Sequence, residues 1–310
     1  MNVLNLSSLL TKRLSGIWHA WHFRFALGLV IKSLCGSFCI ACLHPLTRRY
    51  TTRDSMKLKL YKYLPFNDGA KCLLKDGTMK FSSYDTFNDP FDCVVSYDLD
   101  EADKYMSSRK DLIKAAGDRI GLSPAKRLQN KGVMLKRLEH SLVSGAASND
   151  IAKEWGVCCL SSQADNILMW SHYADNHQGL LIEFTTDQNH IGMVTNPEYY
   201  LTAWPIEYTE KMPVRKLGVR DFEAVKEQFL RKSIDWAYEK EHRCLSHRKG
   251  PGIYPFDKTM VTKVVAGVRM SDEDFIKLKQ LVEQFEISAG TKVELKRAEM
   301  VKGKYQLNVV

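Results

Sequence analysis

The sequence predicts an α+β fold: one mixed sheet at the core, helices on its flanks, and a helical insert at about residues 101–148. Three observations lead there. Short apolar or alternating runs of strand length recur along the chain. The helical stretches are not evenly interleaved with them, so the strands do not follow simple βαβ order. And 310 residues, 45% hydrophobic and 26% charged, suffice to bury a sizeable core without disulfide or metal staples. The same composition excludes collagen, low-complexity disorder and a polytopic membrane protein.

Taken in order, Leu58 to Leu64 alternates and is rich in Tyr, as a strand should be. Asn67 or Asp68 caps a short helix to about Lys75, ended by Gly77. Thr78 to Ser82 is a second strand, and Asp92 to Tyr97 a third after a loop dense in turn residues. Residues 101–116 and 122–143 have helical periodicity, broken by GLSP. Trp155 to Leu160 reads as a buried strand. Asp165 caps a short helix from Asn166 to Ala174. Gly179 to Phe184 and Ala203 to Tyr208 are strands, and Asp221 to about Tyr238 reads as one long amphipathic helix. Glu241 to Ser246 and Thr262 to Val268 are strands, Asp272 to Phe285 a helix, and Thr291 to Lys296 and Tyr305 to Val309 the closing strands.

The first 55 residues differ from the rest. They hold Lys12, Arg13, Arg24, Lys32, Arg48, Arg49 and Arg53 against Asp54 alone, and so carry six of the nine net positive charges. The body is close to neutral, which weakens any inference of nucleic-acid binding from charge. The apolar stretch from Phe25 to Leu43 approaches membrane-spanning length, but Lys32 at its centre costs about 2.5–3.5 kcal/mol on insertion. A signal peptide is disfavoured by the long basic region and the broken run. The expectation is therefore that residues 1–55 are an extension outside the natural domain, with Met56 the natural start and a weak membrane anchor the alternative. Cys35, Cys39 and Cys42 in that stretch have the spacing of an iron–sulfur site without its usual context, and read as small residues in an apolar run. Cys72, Cys93, Cys158, Cys159 and Cys244 read as buried, reduced cysteines of a cytosolic protein.

Three segments carry unusual chemistry. Asn88-Asp89-Pro90-Phe91-Asp92 reads as a structural turn, with Asp89 bonded to backbone and Phe91 plugging the core. In Met169 to Gly179, Trp170 and Tyr173 share one helical face and Met169 and His172 another. Both a pocket wall, in which aromatic, imidazole and amide groups surround a ligand (Trp170, His172, Tyr173 and His177), and a helix packed on the sheet fit this pattern. In Trp236 to Arg243, Glu241 and Arg243 fall on one strand face by period two. A carboxylate held by an Arg at a strand end is either a structural ion pair or a fixed catalytic anion. Glu239 with Glu241 makes an E-x-E pair.

These segments together resemble the bacterial domain-of-unknown-function family DUF2971. The resembling residues are LYKY (Leu60 to Tyr63), MKFSS (Met79 to Ser83), FNDPFD (Phe87 to Asp92), VCCLS (Val157 to Ser161), MWSHYADNHQGLLIEF (Met169 to Phe184) and W-x2-E-x-E-x-R (Trp236 to Arg243). Order and spacing agree from about Leu58 to the C-terminus, so residues 56–310 are expected to form the DUF2971-like domain. A more distant likeness is to ADP-ribosyltransferases, in which a first strand, a short helix, a strand bearing Ser or Thr and a late Glu follow in this order. That likeness implies NAD as co-substrate with no tightly bound cofactor, and no metal. Tyr61, Tyr63 and Tyr173 would sandwich nicotinamide, Ser82 would support the Glu, and Glu241 would stabilise an oxocarbenium-like transition state. Lys62 stands where that superfamily carries a His or Arg at the ribose. Asn88, Asp89, Glu239 and Arg243 complete the expected ligand-contacting set.

The expected function is thus a cytoplasmic NAD-dependent ADP-ribosyltransferase-like enzyme of bacterial conflict or phage defence. Its partners would be a nucleotide-like small molecule and a protein or nucleic-acid acceptor, with no stable membrane partner unless residues 1–55 are native. The alternatives are a non-catalytic sensor or interaction protein that binds a ligand between the Trp170/Tyr173 helix and the Glu241 strand, and a metal-dependent nuclease using Asp89, Asp92 and Glu183.

Overall fold

The fold is taken from a computed structural model that describes residues 57–111, 114, 118, 121–187, 199–217 and 222–309. The readings of residues 1–55, of their three cysteines, of Met56 and of a helix start at Asp221 lie outside the described residues. Along the chain, β1 (Lys57–Leu64), α1 (Asp68–Asp76) and β2 (Thr78–Phe81) come first. Next are β3 (Ser96–Tyr97), α2 (Leu99–Ser108), α3 (Pro124–Val143) and α4 (Ala146–Lys153). They are followed by β4 (Gly156–Ser161), α5 (Ile167–Tyr173), β5 (Leu180–Asp187), β6 (Ala203–Pro205) and β7 (Glu207–Thr209). β8 (Val214–Arg215), α6 (Phe222–Phe229), β9 (Arg231–Ser233) and β10 (Glu241–Ser246) come next, then β11 (Gly252–Pro255) and β12 (Val261–Ala266). α7 (Asp272–Ala289), β13 (Glu294–Arg297), β14 (Glu299–Met300) and β15 (Leu307–Asn308) close the chain.

The described residues form two units, one within 57–86, 155–208 and 234–309 and the other within 87–154 and 209–233. The first is built on a seven-stranded sheet in the order β13-β12-β5-β1-β4-β10-β6. β12 and β13 are parallel, joined by α7, and the other pairings are antiparallel, so the sheet is mixed and the α+β class holds. β1 sits at its centre. Alternation along β1 sends Leu58, Leu60 and Leu64 to one face and Tyr61 and Tyr63 to the other. The first face meets Leu73 and Leu74 of α1 and Leu278, Val282 and Phe285 of α7 in a large apolar core. The second meets Met169 and Trp170 of α5 with Val265, Ala298 and Val309.

Local chemistry sets the helix ends. Asn67 caps α1 by accepting from the Ala70 amide at 3.2 Å, and Gly77 ends it in the left-handed region at φ 67°. Ser271 caps α7 by accepting from the Asp274 amide at 3.1 Å, and three acidic residues in its first turn suit the positive helix terminus. Asn166, not Asp165, caps α5: its side-chain oxygen accepts from the Leu168 and Met169 amides at 2.9 and 3.2 Å. After α5 the chain turns through three successive left-handed residues, Asp175, Asn176 and His177. Each is disfavoured by about 1–2 kcal/mol for a side chain with Cβ. Backbone bonds offset this: the His177 amide donates to the Trp170 carbonyl at 3.1 Å, and the His177 carbonyl accepts from Arg269 at 3.0 Å.

The second unit contains α2, α3, α4 and α6. Gln228 of α6 is buried and donates to the Cys93 carbonyl and, at 3.4 Å, to the Ser148 hydroxyl. Lys232 and Asp92, both buried, pair at 3.7 Å. Several expectations change here. The long helix to Tyr238 is instead α6, the short β9 and a 3-10 helix over Ile234–Glu239. Short pieces mimicked the 3.6 period, but burial of Lys232 against Asp92 needs the chain to leave the helix after Phe229. Residues 92–97 are strand only at Ser96–Tyr97, because a turn continues to Cys93 at φ 58°. Phe91 does not plug the core: it is 69% exposed at the tip of that turn, while Asp92, Cys93 and Val95 are buried.

In the sheet unit, Ala203 to Tyr208 breaks into β6 and β7. The closing strands are shorter than the periodicity suggested. Cys72 is exposed and Cys159 only partly buried, since α1 turns Ala70, Leu73 and Leu74 inward. Among the described residues no helix is long and apolar enough to cross a membrane.

Gly267 donates its amide to the Gly179 carbonyl at 2.8 Å, and a Cβ there would overlap the His177 carbonyl oxygen. Gly267→Ala is expected to destabilise the chain by about 1–3 kcal/mol, measured as a lowered urea midpoint at unchanged slope.

Candidate functional site

Strand register builds the site. Lys263 of β12 lies opposite Glu183 of β5, Glu183 opposite Tyr61 of β1, Tyr61 opposite Ser161 of β4, and Ser161 opposite Glu241 of β10. Directly opposed residues share a face, so these five form one polar row on the α5 side of the sheet. With about 4.8 Å between strands, Glu183 and Glu241 stand about 14 Å apart along it.

Glu241 and Arg243 anchor one end. Arg243 is fully buried and Glu241 is 4% exposed. Arg243 Nε donates to Glu241 Oε1 at 2.7 Å and its terminal nitrogen to Oε2 at 3.1 Å, a charge-assisted bidentate contact. The Glu241 amide donates to the Tyr208 hydroxyl at 2.7 Å. Cys159, opposite Arg243, is pushed well up, first by burial and then by the Glu241 carboxylate.

Glu239 ends the 3-10 helix just before Lys240, whose φ of 46° swings the chain into β10. Its carboxylate accepts from the Tyr173 hydroxyl at 2.6 Å, and its carbonyl accepts from Ser161 at 2.6 Å. The Asn166 amide nitrogen reaches the Tyr238 carbonyl at 2.9 Å. His172 Nδ1 lies 3.2 Å from the Tyr238 hydroxyl, and Tyr238 leans on Trp236 with ring centres 6.0 Å apart. The Met169–Gly179 and Trp236–Arg243 segments, distant in sequence, therefore form one wall.

At the other end of the row, Glu183 is buried, pairs with Lys59 at 3.2 Å and accepts from Thr262 at 2.8 Å. Tyr61 is pushed up to about 12 by burial and then by the charge of, and hydrogen bond to, Glu183. Burial also pushes the Tyr63 phenol up. That hydroxyl donates to the Gln163 carbonyl at 2.7 Å.

The structure thus brings together Tyr61, Tyr63, Tyr173, His172, Glu239, Glu241 and Arg243. It places the other expected residues elsewhere. Trp170 has no exposed surface; it packs edge-on against Tyr63 with centroids 5.4 Å apart and donates to the Ala164 carbonyl at 2.8 Å. It anchors α5 instead of offering a ligand platform. His177 stacks behind Trp170 at 6.4 Å, its imidazole pulled down by burial and then by Arg269. Lys62 points to the opposite face of the sheet, although its amine bonds the Cys159 carbonyl at 2.7 Å. Ser82 bridges to Val157, four residues along β4 from Ser161. That is roughly 13 Å from the Glu241 end at strand rise, too far to support the carboxylate directly.

Asn88 and Asp89 belong to the second unit. Asp89 closes its own turn by accepting from the Phe91 amide at 2.9 Å. Among the described residues no group of three or more His, Cys, Asp or Glu is placed to hold a metal. Sequence reasoning missed Ser161, Tyr208 and Tyr238. The only available signal was the ring-rich spacing of Trp236 and Tyr238; strand register alone reveals Ser161.

Two outcomes are expected. Glu241→Gln replaces the carboxylate that bonds buried Arg243 with a neutral amide and should cost about 3–5 kcal/mol, whereas the double change Glu241→Met, Arg243→Leu should recover most of that loss, both measured by chemical denaturation. The Tyr61 pKa is raised on folding, so its contribution to stability is complete below the ordinary value of 10 and is lost as pH rises through about 12. Tyr61→Phe should flatten the fall in denaturation midpoint over that window.

No curated protein and no solved structure matches the chain. A family model described as protein of unknown function (DUF2971) matches residues 169–244, from the helix that carries Tyr173 to the strand that carries Glu241 and Arg243, so that this segment is similar to the DUF2971 family.

Proposed function

We propose that the polar row and its aromatic wall form an NAD-dependent ADP-ribosyl-transfer site, with NAD as a co-substrate and Glu241 as the carboxylate that acts on it. The observation that carries the reading is the Glu241–Arg243 pair at the first turn of register of β10, aligned across the sheet with Ser161 and Tyr61. Rupture of the glycosidic bond of NAD releases nicotinamide and leaves positive charge on the ribose. An immobilised carboxylate that bonds a ribose hydroxyl stabilises that charge without reorganising. Arg243 holds Glu241 in one orientation, and Tyr208 fixes the backbone from which it projects. Tyr173, tied to Glu239, and Tyr61 supply flat surfaces for nicotinamide. Glu239 orients Tyr173 and is the second carboxylate of the site. A protein or nucleic-acid group is then the acceptor. The setting that fits is a bacterial cytoplasm, in conflict with phage or competitor.

A second reading has its own support. Both Glu241 oxygens bond Arg243, and the residue is 4% exposed, an arrangement equally suited to a rigid, non-catalytic ligand-binding protein. Turnover separates the two. The full-length chain, Tyr173→Phe and Glu241→Gln are incubated with NAD and cell extract, and free nicotinamide and transferred ADP-ribose are followed by mass spectrometry. Each variant's fold is checked by circular dichroism. Transfer is expected to be abolished in folded Glu241→Gln and reduced about 10-fold or more in Tyr173→Phe. NAD-induced thermal stabilisation without nicotinamide release would establish the binding protein. The absence of both nicotinamide release and stabilisation by NAD would refute the proposal.

A further inference from the structure

On the sheet face opposite Glu241, Cys158 of β4 lies directly across from Cys244 of β10. Both are 1% exposed and belong to the large apolar core. Opposed residues of antiparallel strands have Cα atoms about 4.5–5.5 Å apart and side chains on one side, within the roughly 4.4–6.8 Å that a disulfide spans. The register therefore points both side chains to the same side of the sheet, into one core. Lys62 projects from β1 to the same face and adds its positive charge to Cys158. The two thiols are therefore unequal. The neighbouring Cys244 thiol, opposed by burial and helped by Lys62, draws Cys158 down to about 7. Burial, then Cys158 itself, pushes Cys244 well up. Lys62 stays charged because the surrounding thiols and Glu241 outweigh its own burial.

We infer that Cys158 and Cys244 are a reversible dithiol–disulfide couple oxidised by a small neutral peroxide, with Cys158 attacking and Cys244 resolving. The Cys158 thiolate attacks one peroxide oxygen, the O–O bond breaks, and the departing hydroxide takes up a proton to leave as water. The resulting sulfenic acid is attacked by the Cys244 sulfur. The S–S bond forms, the S–O bond breaks, and hydroxide leaves with the Cys244 proton as a second water. Two thiols and one hydrogen peroxide thus give one disulfide and two waters. Burial excludes bulky oxidants, and direct opposition on paired strands removes the need for large backbone movement. The bond would staple β4 to β10 behind Ser161, Glu241 and Arg243. The inference stands on strand register and does not depend on NAD chemistry.

The test uses the full-length folded chain, treated with hydrogen peroxide, alkylated under denaturing conditions without reductant, digested and analysed by tandem mass spectrometry. A peptide pair joined through Cys158 and Cys244, lighter by two hydrogens and split by reductant, is the expected result. Its rate should rise as pH passes through about 7. Cys159→Ser should retain the link and Cys158→Ser abolish it. In Cys244→Ser, Cys158 should instead be captured by dimedone as a sulfenic acid. Full alkylation of Cys158 and Cys244 while exposed Cys72 is oxidised would overturn the inference, as would a link through Cys93 or Cys159, or a link formed only in the unfolded chain.

Discussion

The buried guanidinium of Arg243 is the constraint on which the sheet unit turns. A charge with no exposed surface is tolerable only if its anion is fixed beside it and further bonds hold that anion. Glu241 meets the first demand two residues away on the same strand face. Meeting the second requires β10 to begin at Glu241, which requires the sharp turn at Lys240. That turn is in turn secured by Ser161 and Ser162, which bond the carbonyls of Glu239 and Lys240. The ion pair, the strand start and the β4–β10 register are thus one mutually dependent arrangement.

Around that arrangement the two faces of one sheet carry different work. One face is apolar and closed by α1 and α7, where hydrophobic burial does most of the stabilising. The other carries charges and hydroxyls in register, with a small aromatic cluster from α5 and the chain end beneath them. Because neighbours along a strand point to opposite faces, Cys158 and Cys159 serve both: Cys158 faces Cys244 in the core and Cys159 faces Glu241 in the polar row. A slip of one residue between β4 and β10 would exchange these surroundings and bury Glu241 in the apolar core. The apolar face therefore fixes the register that the polar row requires.

Strain is concentrated beside this row. Asp175, Asn176 and His177 occupy left-handed conformations in succession, and the loop after β12 holds them through backbone bonds from Gly267 and Arg269. The turn orients α5 so that Tyr173 meets Glu239 while Trp170 fills the core. A turn closed by backbone bonds on both sides gives α5 a rigid base, the setting in which a side-chain pair such as Tyr173–Glu239 keeps its geometry.

Patterns with a short physical range were legible in the sequence. The period of two in β1 and β10, the Asn67 cap and the left-handed Gly77 depend on neighbours a few residues away. So did the pairing of Glu241 with Arg243. Where long-range contacts chose between local options, reading failed: the segment after Phe229 has a helical period, but buried Lys232 pairs with Asp92. Phe91 looked like a core residue, but the turn exposes it. The sequence by itself determined which residues alternate, which cap and which carry charge. Only the tertiary structure decided that Tyr61, Ser161 and Glu241 share one row, that Trp170 is sealed away and that Cys158 meets Cys244, because strand order and register join residues that no local periodicity connects.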